Sequence, residues 1–335
     1  MNHIVYKKKA YKFIVNFFLF YLEYIGDTSI FTSCKKNGNI CNRGFFMKKV
    51  AIITDSNSGF TIAASSKIEN LFVLPMPFNI EGKEYFEEID LTQDKFFELL
   101  QNDVNISTSQ PAVGSVLSLW KKVLKDFDQI VHIPMSSGLS ASCETATMLA
   151  QDFDGRVAVV NNQRISVTQY QSVLDALELA KEGKDAFEIK EYLENDKFNS
   201  SIYICVDTLK YLKRGGRVTP AGAALGELLK IKPVLQIQGD KLDAFAKVIG
   251  LKKAKLVMID QMKKDLESRF HATPEEYQLA IAYTKGNEEF LERYIEDVKA
   301  SFPGYELNIQ PLSLSVACHI GGGSFALAVA HKYKK

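Results

Sequence analysis

Two hydroxyl-rich segments carry the first chemical signal. Thr108-Ser109-Gln110-Pro111 and Ser136-Ser137-Gly138-Leu139-Ser140 each place hydroxyl side chains where a helix is expected to begin. Unpaired backbone N–H groups and the helix dipole attract an anion at such a position, and hydroxyls add neutral donors. Simple capping by Ser109 is the competing reading of the first segment. Two such segments in one half of the chain point to donors converging on one small anion, a carboxylate or a phosphate. Arg214-Gly215-Gly216-Arg217 sets guanidinium groups beside a flexible glycine pair; a helix end with solvated arginines is the plainer reading. Cys318-His319-Ile320-Gly321 puts an imidazole at an expected strand end, with a satisfied core histidine as the alternative.

Several enzyme signatures are absent. The chain has no G-x-x-x-x-G-K-[ST] phosphate loop, no H-E-x-x-H pair and no close metal cluster among His3, His132, His271, His319 and His331. Gly138-Leu139-Ser140-Ala141-Ser142 lacks the final glycine of a nucleophile elbow. Gly321-Gly322-Gly323-Ser324-Phe325-Ala326 fits G-x-G-x-x-A but lacks the acid ~20 residues onward that a dinucleotide site needs. No catalytic residue, metal or cofactor is therefore expected.

The elements that must position these residues alternate. Val50 to Thr54, Ile130 to Pro134 and Val157 to Val160 read as buried parallel strands. Thr92 caps a helix to about Leu100, and Pro111 opens the next one. Strand–loop–helix repetition implies a parallel sheet with helices on both faces, whose loops gather at one edge, the usual ligand position. After about residue 164 the pattern changes. Helices are expected near 166–181, 186–193 and 252–269, strands near 202–206 and 279–283, and a hairpin turns at Gly239-Asp240. Val316 to Ile320 reads as a strand and the residues from about Ser324 as an apolar helix. The expected fold is α/β with two domains: an α/β/α parallel-sheet domain at 47–163 and a smaller two-layer α+β domain with a mixed sheet at 164–335.

Composition bounds the rest. The 335 residues carry net charge +1, 46% hydrophobic and 24% charged residues, as ordinary globular proteins do. The even balance of 41 basic and 40 acidic residues excludes a nucleic-acid binder held by bulk charge. Five cysteines without C-x-x-C spacing read as reduced thiols in a cytoplasm. Residues 1–46 are a different material, with seven Lys/Arg against two acids, which leaves the remainder at −4. Their apolar run from Phe13 to Leu22 is short for a bilayer span, which takes ~20 residues. No small-x-small cleavage pattern follows it. A membrane-associated leader and a folded element are the other readings. Met47-Lys48-Lys49, leading straight into a strand, makes a mis-called start the preferred one.

The motifs form an ordered set: Thr54-Asp55-Ser56, Thr108-Ser109-Gln110-Pro111, Ser136-Ser137-Gly138-Leu139-Ser140, Asp207-Thr208-Leu209 through Arg214-Gly215-Gly216-Arg217, Leu228-Leu229-Lys230-Ile231-Lys232-Pro233, and His319-Ile320-Gly321-Gly322-Gly323. Residues 47–335 thereby resemble the DegV family of bacterial fatty-acid-binding proteins. The resemblance implies a long-chain fatty acid such as hexadecanoate between two domains, in an architecture shared with dihydroxyacetone kinase substrate domains. It implies that Thr108 and Ser109 hydrogen-bond the carboxylate, with Ser140 as a further donor, Ser137 next, and His319 beside them. It places Arg217 at the pocket mouth or at a partner-docking surface. Some members carry the acyl group for a fatty acid kinase, whose separate ATP-binding subunit makes acyl phosphate for phospholipid synthesis. A cytoplasmic, non-catalytic carrier with at most transient membrane contact is thus expected, and a stand-alone dihydroxyacetone-kinase-like phosphotransferase or hydrolase is the alternative. Three positions depart from the family pattern: Asn161-Asn162 where Asp-Ser is common, Ala141 where a glycine is usual, and Ile249-Gly250 where an arginine often stands.

Overall fold

The computed structural model describes residues 48–102, 104–223 and 231–334. The expectations for residues 1–46 and for Leu228-Leu229-Lys230 fall outside them. Along the chain the elements are β1 (Val50–Asp55), α1 (Ile62–Ser65), β2 (Leu71–Leu74), β3 (Pro77–Ile80), β4 (Lys83–Phe86), α2 (Gln93–Gln101), β5 (Ile106–Thr108) and α3 (Val113–Val123). Then come β6 (Gln129–Ile133), α4 (Ser142–Ala150), β7 (Val157–Val159), α5 (Ser166–Lys181), α6 (Ala186–Asn195), β8 (Ser200–Cys205), α7 (Lys210–Gly215) and α8 (Pro220–Ala223). The last are β9 (Ile231–Ile237), β10 (Asp243–Ile249), α9 (Leu251–Lys264), β11 (Tyr277–Tyr283), α10 (Glu288–Ser301), β12 (Leu307–Pro311), α11 (Leu314–Ile320) and β13 (Phe325–His331).

The parallel sheet has strand order β2-β1-β6-β7. All six residues of β1 are buried, because helices cover both faces and every position of a central parallel strand meets apolar neighbours. Side-chain alternation sorts the contacts: Val50 and Ile52 pack with α5 and α6, while Ala51 and Ile53 pack with α3 and α4. The helices on the first face come from beyond residue 164. A small antiparallel sheet, β4-β3-β5, packs its Phe78 and Ile80 against α2 and α11.

The second sheet is mixed, in the order β10-β9-β8-β13-β11-β12, with β11 and β12 parallel. Period-two alternation again divides it. Tyr203 and Cys205 of β8 face α9 and α10, whereas Ile202 and Ile204 face the first domain. The opposite layer on that side is Met76, Met135, Ile165 and Val167, contributed by segments following the parallel strands. The domains are tied by close backbone approach: Ser136 Oγ donates to the Asp240 carbonyl at 2.7 Å, and a Cβ on Gly138 would lie 2.2 Å from that oxygen.

The end of the chain inverts the expectation. Leu314–Ile320 is a helix capped by Ser313, whose side chain accepts the Val316 N–H, and Phe325–His331 is a strand. The apolar run of β13 is a strand because Phe325, Leu327 and Val329 alternate with alanines, which puts bulk on one face only. Pro111 does not open α3, which starts at Val113 after an uncapped Ala112. Strand pairing of β5 with β3, extended by a Ser109 N–H to Pro77 bond, keeps the chain straight through Ser109. Helix α9 ends at Lys264, and a π turn over Asp265–Arg269 completes the stretch expected to run to Arg269.

Candidate functional site

Between the first domain's loops and the inner face of the mixed sheet lies a cavity of about 860 Å³, counting the space at its mouth. Its floor is sheet: Ile202, Ile204, Ala282 and Ala326. Its walls include Met76, Met135, Ile165, Val167 and Leu212. The apolar lining follows from strand alternation, since each floor residue is the inward half of an in/out pair.

One end is polar. Thr108, Ser109, Ser140, Arg217 and His319 all line the cavity, whereas Ser137 does not. The Thr108 hydroxyl and His319 Nε2 are hydrogen-bonded at 2.8 Å. Thr108 is delivered by the last residue of β5 and His319 by the last turn of α11. The Ser140 hydroxyl oxygen accepts the Ser142 N–H at 3.2 Å, at the start of α4. Ser109 Oγ donates to the Gln110 carbonyl at 3.2 Å. Arg217 bonds the Gly215 carbonyl. Gly215 is needed where it stands, because a Cβ there would lie 2.4 Å from His319 Nδ1.

Burial, reinforced by the Arg217 and Arg214 charges, pushes the His319 pKa down to about 4. The imidazole is therefore neutral near pH 7. These residues thus offer neutral donors and a nearby guanidinium, a setting suited to an anionic group.

The helix carrying His319 is itself anchored. Glu87 accepts the Leu314 N–H on both oxygens, at 3.1 and 3.0 Å, and Ser313 Oγ donates to Asn57 Oδ1 at 2.9 Å. Burial raises the Glu87 pKa to about 7. Among the described residues no cluster of His, Cys, Asp and Glu fits a metal ion. No described helix is long and apolar enough to cross a membrane. Cys143, Cys205 and Cys318 are buried free thiols.

Sequence reasoning did not single out Gln110 for the site, nor Asn57, Ser166 and Ser315, which also line the cavity. Ser315 precedes His319 by one helical turn, a relationship hidden when the segment is read as a strand. Ser166 starts a helix after a strand and loop, as the two recognised hydroxyl segments were expected to do.

The two α/β domains hold between them a mostly apolar slot whose lining includes the Thr108–His319 hydrogen bond. The family model described as "Uncharacterised protein, DegV family" matches residues 49–332, and the chain belongs to that family. A DegV domain-containing protein of Staphylococcus aureus is 28% identical over 292 residues, 85% of this chain and 100% of the relative. The fold is similar to a fatty-acid-binding DegV family protein from Thermus thermophilus at TM-score 0.76 and 26% identity, covering 84% of this chain and 99% of that one. It is likewise similar to DegV, a fatty-acid-binding protein from Bacillus subtilis, at TM-score 0.73 and 26% identity, covering 85% and 100%.

Proposed function

We propose that this chain binds a long-chain fatty acid in the interdomain cavity, with the carboxylate at Thr108, Ser109, Ser140 and His319. The observation that carries the reading is a mostly apolar slot between the two domains whose lining includes the hydrogen-bonded Thr108–His319 pair. Each buried CH₂ contributes ~0.8 kcal/mol, so the acyl chain supplies affinity and the neutral donors fix its direction. Relatives of the same fold and more than a quarter identical are fatty-acid-binding proteins. Ser137, outside the lining, shapes the loop rather than touching the ligand in this proposal.

We also propose a carrier role for the chain. With one carboxylate oxygen uncommitted, a separate kinase subunit transfers the terminal phosphoryl group of ATP to it, giving acyl phosphate and ADP. The chain itself is then non-catalytic and cytoplasmic, and touches a membrane only to exchange ligand. Arg217 at the mouth, with Lys213 and Arg214 exposed on α7, gives the docking face a basic character.

Native mass spectrometry of the purified chain tests the binding reading. A co-purifying or added fatty acid is expected, retained less well by Thr108→Ala combined with Ser140→Ala. Absence of any retained fatty acid overturns it. ATP turnover by the chain alone overturns the non-catalytic part.

A further inference from the structure

Two hydroxyls that line the cavity, those of Ser166 and Ser315, are not among the proposed carboxylate donors. Five hydroxyls line it: Thr108, Ser109, Ser140, Ser166 and Ser315. The first three have partners, as described above. Ser166 and Ser315 have none among the described residues, although they are only 8% and 4% exposed. Their elements, α5 and α11, both pack against the turn Ser56–Ser58. Asn57 of that turn also lines the cavity, but its amide is committed. Its Nδ2 donates to Met135 Sδ at 3.0 Å and its Oδ1 accepts from Ser313. The nearest side-chain amide of the turn is thus already engaged.

An unfilled cavity lets water meet these hydroxyls. A plain hydrocarbon chain expels that water and offers nothing in return, which leaves two buried donors unsatisfied. Ser315 and His319 are one turn apart on α11, about 6 Å along its axis, so Ser315 is set apart from the proposed carboxylate position at His319. We infer that the preferred ligand is a fatty acid with an oxygen substituent on its chain, a hydroxyl or keto group, received by Ser166 and Ser315. This inference rests on the fatty-acid reading and names the substrate class within it.

Native mass spectrometry of the full chain, challenged with equimolar hexadecanoate and a series of chain-hydroxylated hexadecanoates, tests it. At least one positional isomer is expected to be retained over hexadecanoate by on the order of tenfold. Ser166→Ala and Ser315→Ala are each expected to bring that ratio towards one. Circular dichroism checks that each variant folds; should one fail, the other gives the same readout. The inference is overturned if no isomer outcompetes hexadecanoate, or if the advantage persists in the folded variants. Failure to retain any acid, hexadecanoate alone included, overturns the fatty-acid reading together with this one and is distinguishable from loss of the preference.

Discussion

Thr108 and His319 lie 211 residues apart and share a 2.8 Å hydrogen bond. The bond joins the end of a strand in the small sheet to the end of α11, so the polar end of the cavity exists only when both segments are in place. Thr108→Val keeps the shape and removes the hydroxyl. Fatty-acid retention is expected to fall by about tenfold, as for loss of one hydrogen bond to a charged group. Thr108→Ser should restore most of it. Equal retention by the valine variant would remove Thr108 from the site.

Glycines 138 and 215 separate architecture from ligand contact. At Gly138 the added methyl meets Asp240 backbone, which cannot swing aside. Gly138→Ala is expected to cost ~1–3 kcal/mol of stability in urea unfolding. At Gly215 it meets the His319 ring instead. Gly215→Ala should displace the imidazole from Thr108 and lower ligand retention more than it lowers the unfolding midpoint. A variant pair with the opposite ranking would contradict this assignment.

Two histidines, His319 and His331, are expected to titrate on opposite sides of the ordinary value of 6.5. His319 is held down to about 4 by burial and the Arg217 and Arg214 charges, whereas the Asp196 carboxylate at 2.9 Å raises His331. Imidazole NMR should show His319 neutral until about pH 4 and His331 still charged above 6.5. For His319 the unfolded chain binds the proton first, so its contribution to stability is lost as pH falls from 6.5 towards 4. For His331 the contribution is present below 6.5 and lost as pH rises through the folded value.

Glu87 gives a third pH window. Its folded pKa, raised from 4.5 to about 7 by burial, means the folded state holds a proton that the unfolded chain has released. Stability from this group is therefore lost as pH rises from 4.5 through 7. Glu87→Gln keeps an acceptor for the Leu314 N–H and removes the ionisation. Its melting temperature should gain on the wild type by a few degrees above pH 7 and match it near pH 4.5. No pH dependence in the difference would show that Glu87 is not desolvated.

Arg164 and Asp196 form a buried ion pair at 2.8 Å, their side chains 1% and 6% exposed. Asp196→Ala removes the guanidinium's direct ion-pair partner and the His331 acceptor together, and a loss of ~3–5 kcal/mol is expected. Fluorescence of Trp120, the chain's one tryptophan and fully buried, follows the unfolding. A loss below 1 kcal/mol would mean that water already solvates the pair.

Much of the fold was legible because strong local signals and tertiary demand agree. The apolar run of β1, the helix expected near 186–193 and the Gly239-Asp240 hairpin turn each form as their residues direct. The final segment was misread because Leu314–Ile320 is short, and because β13 is so rich in alanine that helix propensity and strand alternation compete. Sheet pairing decided the contest: β13 lies between β8 and β11 and bonds to both. Thr108, Ser109, Ser140, Arg217 and His319 were legible as a set through their family motifs. Ser166 and Ser315 were not, since nothing in a lone serine announces that three-dimensional packing will strand it without a partner.

Ala282 of β11 and Ala326 of β13 are direct cross-strand partners, and both floor the cavity. The slot is therefore created by subtraction: two side chains are cut back to a methyl where the neighbouring β8 positions carry isoleucine. Capacity becomes a quantity that evolution or an engineer can meter out. Under the proposed fatty-acid reading, valine at either site is expected to shorten the acyl chain retained and glycine to lengthen it.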